Sequence, residues 1–436
     1  MTQKKTSAVA LAEPGRISGH RLAAKLIASV LGTALIALVA GTALAQFDAT
    51  PHTKRPKAKH TTLPPRPLLG AGPQFGAPLP DLEAAQAAAF EAGREEFESA
   101  ETADGGLGPI FNGVSCVACH SAPAAGGAGA STVTRFGRLT HGRFDPLTQA
   151  GGSLLQRLAI DPAAQEQVPG DADVVALRLT TPLFGAGLIE AIPDSEIRQN
   201  AARRKPDGIA GRAATIVDIA SGQWRVGRFG WKAQHASLLS FAADAYLNEM
   251  GVTNRFFPVE NAPNGNVALV DRFDSVPDPE DTLDPATGRG DVDALADFMR
   301  LLAPPPQPRQ TPSAATGARL FEQMNCAACH TPFLLTGASP VAALAHQPVP
   351  LFSDLLLHDM GALGDGIVQG AARAREMRTP PLWGLRARGP FLHDGRAATV
   401  DAAIRAHDGE GAAARDRYNR LGRVERQQVL DFLNSI

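Results

Sequence analysis

Four cysteines occur in 436 residues, and all four stand in two strings of one form, Cys116-Val-Ala-Cys119-His120 and Cys326-Ala-Ala-Cys329-His330. Such a string constrains its local fold tightly. Two thiols one helical turn apart can add to the two vinyl groups of a haem, and the adjacent His then meets the iron from the proximal side. Three other uses compete. A zinc site wants its two C-x-x-C pairs close in sequence, yet more than two hundred residues separate these, although a fold could unite them. A redox-active dithiol does not require His after both pairs. A disulfide inside one pair closes a loop too small to stabilise much. Covalent haem c at both strings is the favoured reading, with Cys116, Cys119, Cys326 and Cys329 as attachment points and His120 and His330 as iron ligands.

The N-terminus reads as an address. Lys4, Lys5, Arg16, Arg21 and Lys25 accompany one acid, Glu13, and Leu26 to Ala40 then run apolar up to a small-x-small Ala43-Leu44-Ala45. An export signal over 1–45 is expected, giving a periplasmic protein; an uncleaved anchor is the alternative. The apolar run is too short for a comfortable span, so no stable membrane insertion is expected. The 42 Lys+Arg nearly cancel the 44 Asp+Glu, which removes the long-range pull that nucleic acid or an anionic membrane would need. A Pro-rich tether follows over 46–82. A second break, Pro304 to Pro312, cannot be helical and divides 83–303 from 313–436. Just before it, Val292, Leu295, Phe298, Met299 and Leu302 form one helical face.

The two halves share a pattern. Gly317, Leu320 and Phe321 lie on a predicted helix running into Cys326, and Gly93 and Phe97 make a similar approach to Cys116, with extra Gly-rich residues from Asp104 onward. Arg178 precedes Pro182-Leu-Phe-Gly185, and Arg378 precedes Pro381-Leu-Trp-Gly384. Trp231 stands before Ala236-Ser237-Leu238 as His393 stands before Ala398-Thr399-Val400, with Ser237 and Thr399 read as helix N-caps. The expected fold is mainly α: two cytochrome c-like haem domains related by internal duplication, the first enlarged by loops and short strands.

The strings Gly106-Leu-Gly-Pro-Ile-Phe-Asn-Gly-Val-Ser-Cys116, Phe229-Gly-Trp231-Lys-Ala-Gln234, Asp354-Leu-Leu-Leu-His358-Asp-Met-Gly361 and Pro390-Phe-Leu-His393-Asp-Gly395 resemble the bacterial di-haem oxidoreductase family, relatives of the di-haem cytochrome c peroxidases. The resemblance runs from about residue 85 to the C-terminus. It implies a peroxidase-like enzyme that reduces hydrogen peroxide at the first haem. Electrons would come through the second haem from a small periplasmic donor of cytochrome c or cupredoxin type.

Carried over residue by residue, the resemblance makes Trp231, seven residues before Leu238, an inter-haem electron relay, with simple packing as the alternative. Glu249 becomes the pocket acid, although Phe241 stands where a Gln is expected, and Glu190 is a rival acid better read as structural. The peroxidases place a Met ligand fourteen residues after the motif His; here that position is His407. His330/His407 coordination would lower the potential relative to Met/His. Met360 and Met377 are the rival ligands, and an exposed His407 is the plain alternative. His358 and His393 read as hydrogen-bonding residues near a haem edge or a domain interface. For the first haem, His141 and His235 are the only distal candidates, and an open site suits peroxide better. The acidic loop Asp274 to Asp284, with Asp278, Glu280 and Asp281, is a candidate for calcium, which the peroxidases hold between domains. It lacks ordered ligand spacing, so a solvated turn is the default. Two other functions compete: a di-haem electron carrier without substrate chemistry, and an oxidase or oxygenase of an organic substrate. A thiol oxidoreductase has little support, since haem attachment leaves no free cysteine.

Overall fold

The computed structural model describes residues 74–436. The expected export signal and most of the tether lie outside them. Among the described residues no helix is long and apolar enough to cross a membrane.

Helix α1 (Ala84–Glu98) buries Phe90, Gly93 and Phe97, a stripe at spacings of three and four that an amphipathic helix presents to one side. It leads to the first C-x-x-C-H string. Helix α2 (Leu238–Ala245) is capped by Ser237, whose hydroxyl accepts from the Ser240 N–H. Helix α3 (Asp291–Leu301) turns Val292, Leu295, Phe298 and Met299 inward and lies across α1. A Cβ on Gly93 would run into the Ala294 carbonyl and Phe298, so the two helices approach backbone to backbone. Phe298 sits between Phe90 and Phe97, with ring centres 5.2 and 4.7 Å away.

The C-terminal half repeats this crossing. Helix α4 (Pro312–Gln323) starts at Thr311, whose hydroxyl caps Ala314 N, with Pro312 in the first turn where no N–H is needed. It leads to the second string and crosses α6 (Arg423–Leu433). A Cβ on Gly317 would meet the Gln428 carbonyl and Phe432. Phe321 packs 5.3 Å from Phe432. Helix α5 (Val400–Arg405) is capped by Thr399 through Ala402 N, as its sequence predicts.

Strands depart from a mainly helical fold. Helix accounts for 35% of the structure and strand for 16%, so the chain is mixed. In the N-terminal half β1 (Thr132–Thr140) pairs antiparallel with β2 (Arg143–Asp145), β3 (Leu154–Leu155) and β4 (Val174–Leu179). The register sets Val133 opposite Arg178. Because side chains alternate along a strand, Val133, Arg135 and Arg178 share a face. A hairpin of β5 (Ala214–Asp218) and β6 (Gln223–Gly227) precedes Trp231. In the C-terminal half β7 (Leu357–Asp359) pairs with β8 (Glu376–Arg378).

The stretch from Ala303 to Gln310 is irregular, as its prolines require, yet the described residues form one compact unit. Buried charges join the halves. Arg178 Nε donates to Asp365 Oδ2 at 2.9 Å, Lys232 Nζ lies 2.7 Å from Asp365 Oδ1, and Lys205 Nζ lies 2.5 Å from Asp354 Oδ2. Burial alone would raise the Asp365 carboxyl, but Arg178 and Lys232 outweigh it and hold it below the ordinary range.

Candidate haem-binding cavities

Each C-x-x-C-H string closes one turn. His120 N donates to the Cys116 carbonyl at 3.0 Å, and His330 N donates to the Cys326 carbonyl at 2.9 Å. All four cysteines are unbridged. The two pairs line separate cavities, so the structure does not unite them around one zinc. Burial pushes both Cys116 and Cys326 up to about 12, the opposite of the depressed values of redox-active thiols.

The cavity of the second string holds a facing pair of imidazoles. His330 Nδ1 donates to the Phe352 carbonyl at 3.1 Å and His407 Nδ1 to the Ala403 carbonyl at 2.8 Å. A carbonyl only accepts, so each neutral ring keeps its lone pair on Nε2. Burial depresses both, His330 to about 4, which keeps those lone pairs free of protons. The ring centres are 6.4 Å apart. Two imidazole nitrogens each about 2.0 Å from one metal would need ring centres separated by a distance of this order. Met360 and Met377, the rival ligands, line this cavity too.

The same cavity contains cations without carboxylate partners. Arg378, 5% exposed, spends its bonds on the Gly230 and Thr379 carbonyls. Arg388 donates to the Pro381 carbonyl, while its buried Nε has no partner. Burial lowers each to about 10. Two enclosed guanidinium groups facing apolar space suit a ligand that carries carboxylates, as haem does. His358 also lines this cavity, held between Asp354 (3.0 Å) and Glu410 (2.6 Å). Burial opposes its charge, yet hydrogen bonds to Asp354, Cys329 and Glu410 push it up to about 12. His393 lines the cavity as well and meets the edge of Trp231 at 6.2 Å.

The cavity of the first string differs in kind. His120 Nδ1 donates to the Gly127 carbonyl at 3.2 Å, and burial pushes the ring down to about 4. No second histidine lines this cavity among the described residues. His141 sits in the exposed β1–β2 turn. His235 is tied to Asp244 at 3.2 Å and stacked on Phe241. Polar groups converge instead. Glu249 stands in a π-helical turn, Tyr246–Met250, that ends α2 and is closed by Gly251 at φ 72°. A side chain at Gly251 would strike Gly108 and the Ile110 carbonyl. Asn112 Nδ2 donates to Glu249 Oε2 at 2.9 Å, and burial raises Glu249 to about 7. Arg135 projects from the sheet into the cavity, its buried Nε without a partner. Gln234 and Phe241 complete the wall. Tyr246 is also present, but its hydroxyl donates to Glu96 at 2.6 Å.

Trp231 lines both cavities. Its indole N–H donates to the Leu179 carbonyl at 2.9 Å, and its own carbonyl accepts from Arg378 N. Glu190 lines neither cavity: it accepts from Leu238 N at 2.7 Å and pairs with Arg300, a structural acid. Phe241 stands in the wall beside Arg135, Asn112 and Gln234, which supply polar groups from other elements. Sequence reasoning missed Arg135, Asn112, Arg388 and Glu410 as site residues. Asn112 lies inside one of the strings that carry the resemblance, whereas Arg135 reaches the cavity only through strand pairing.

The family model described as "Di-haem oxidoreductase, putative peroxidase" matches residues 164–436, a shorter span than the resemblance from residue 85 suggested and one that starts after the first C-x-x-C-H string. No curated protein sequence matches the chain. Among solved structures, hydrazine synthase of Kuenenia stuttgartiensis is 15% identical, covering 89% of this chain and 100% of that one, with a TM-score of 0.38. A MauG-like protein associated with microbial copper homeostasis is 15% identical over 86% of this chain and 95% of that one, TM-score 0.39. The diheme peroxidase BthA from Burkholderia thailandensis is 15% identical over 80% and 85%, TM-score 0.37.

Proposed function

Because this chain belongs to the di-haem oxidoreductase family, we propose that it reduces hydrogen peroxide in the first cavity, using electrons delivered through the second. The observation that carries this reading is the asymmetry of the cavities. One pairs His330 with His407; the other pairs His120 with no second histidine and gathers Glu249, Asn112, Arg135 and Gln234. We read both haems as covalently attached, through Cys116 and Cys119 and through Cys326 and Cys329. His120, His330 and His407 are the proposed iron ligands. The matched crossings of α1 with α3 and α4 with α6 support descent of both halves from one haem module.

Bound haem supplies the iron redox chemistry; the rest falls to the chain. Reduction of one peroxide to two waters consumes two electrons and two protons. The Glu249 carboxylate accepts the proton of one peroxide oxygen and hands it to the other, so that water leaves. Asn112 holds the carboxylate in place through its 2.9 Å hydrogen bond. Arg135 stabilises negative charge on the departing oxygen. Trp231, touching both cavities, is the proposed electron relay. The donor is a small redox protein of cytochrome c or cupredoxin type, met in the periplasm if the chain is exported.

Haem-loaded protein mixed with a reduced small donor and hydrogen peroxide tests the reading. Donor oxidation that depends on peroxide, and collapses in Glu249→Gln, supports it; no peroxide-dependent oxidation defeats it. Phe241 in the cavity wall favours a second reading, oxidation of an organic substrate, which the assay exposes if peroxide consumption depends on an added organic substrate and not on the donor.

A further inference from the structure

Tyrosine is scarce in this chain: among 436 residues only Tyr246 and Tyr418 carry a phenol. Both are buried, and each lines one of the two cavities, Tyr246 the first and Tyr418 the second. Both hydroxyls turn onto carboxylates. Tyr246 Oη donates to Glu96 Oε1 at 2.6 Å and stands 3.3 Å from Glu101 Oε1, while Tyr418 Oη donates to Asp401 Oδ1 at 2.7 Å.

The carboxylates differ in what they can accept. Arg405 donates to both oxygens of Asp401, at 2.7 and 3.2 Å, and holds it below the ordinary carboxylate range. A carboxylate neutralised in this way is a poor base for a phenolic proton. Glu96 and Glu101 have no cation among their hydrogen-bond partners, and burial lifts both above the ordinary range against the opposing Tyr246 hydrogen bond. Each is partly exposed. The Tyr246 ring thus faces the first cavity while its hydroxyl meets a base in reach of solvent. Trp231 lacks such a base, since its indole N–H donates to the Leu179 carbonyl, which cannot take a proton. An electron withdrawn from Trp231 leaves a positive charge behind.

We propose that Tyr246 is a redox-active residue of the first cavity with Glu96 as its proton acceptor, which rests on the reading that hydrogen peroxide is reduced there. Without a donor, peroxide still withdraws two electrons from the protein, and the two protons that complete the waters come from solvent. The haem pair supplies one electron. The Tyr246 ring supplies the other while its O–H bond breaks and the proton passes along the 2.6 Å hydrogen bond to Glu96 Oε1. A neutral phenoxyl then faces a neutral carboxylic acid, so no new charge is stranded in the buried wall. A reduced donor returns the electron, and Glu96 returns the proton. One oxidising equivalent is held in this way on the same π-helical turn as Glu249.

The test mixes haem-loaded full chain with hydrogen peroxide and no donor, freezes it rapidly and records the electron paramagnetic resonance of organic radicals. Peroxide loss is followed in a parallel sample. The expected result is a tyrosyl signal that narrows in protein grown on ring-deuterated tyrosine. It is lost in Tyr246→Phe, which keeps the ring and the haem absorption, and it persists in Tyr418→Phe. Glu96→Gln, which keeps an acceptor oxygen but no base, is expected to lower its yield. Peroxide loss without a tyrosyl signal, or a signal that Tyr246→Phe or Glu96→Gln retains at full strength, overturns the proposal and leaves the peroxide reading standing. Absence of peroxide loss overturns both.

Discussion

Glu249 and His407 carry the chemical distinction between the two cavities, and each makes its own prediction. Burial raises the Glu249 carboxyl to about 7, so it is protonated below that pH and ionised above it. A group that must accept a proton from peroxide works in its ionised form. The peroxide-reduction rate is therefore expected to rise as pH increases through about 7 and then level off. Glu249→Gln should lower kcat/KM by about 10²–10⁴-fold and remove that rising limb, while His407-dependent spectra stay as they are. Retention of the limb in the variant would assign it to another group. His407→Met exchanges imidazole for thioether opposite His330. The potential of the second haem should then rise by on the order of 0.1 V, read by redox titration; an unchanged potential would mean that His407 is not a ligand.

At the scale of elements, the site was legible where the chemistry is local and illegible where tertiary contact makes it. The C-x-x-C-H turns, the Ser237 and Thr399 caps and the buried face of α3 follow from spacing alone, because each depends on neighbours within a helical turn or two. His407 comes from the family resemblance, as the residue at the position where the peroxidases place a Met, and not from spacing alone. Arg135 was not legible, because strand β1 turns it into the first cavity only through pairing with β4, and no local spacing announces that. Asn112 and Glu249 lie far apart in sequence and meet through a π-helical turn that no periodicity marks. The joint between the halves is another such contact. Asp365 receives both Arg178 and Lys232, so Asp365→Ala strands two buried cations. It should cost about 3–5 kcal/mol of unfolding free energy, measured by denaturant titration. Asp365 is held below its ordinary range, so its contribution is present above the unfolded carboxyl value of about 3.9 and is lost as pH falls through the folded one. Stability unaffected by the substitution would show that the halves are joined by other contacts.

For the whole molecule, the proposed function rests on inequality between two sites built from similar parts. Each half presents a glycine-mediated helix crossing, a phenylalanine on that crossing and a histidine whose Nδ1 is spent on a carbonyl. The halves then diverge: α5 leads to His407 in one, whereas the sheet and the π-helical turn bring Arg135 and Glu249 to the other. Trp231 borders both. A chain with two equivalent, fully ligated haems would serve as an electron carrier; one with a single vacant position can perform chemistry on an oxidant. Low-temperature electron paramagnetic resonance of the fully ferric protein, loaded with two haems per chain, decides between these. The account predicts one low-spin signal from the His330/His407 site, lost in His407→Ala, together with one high-spin signal from the His120 site. Two low-spin signals, with none from an open site, would contradict it.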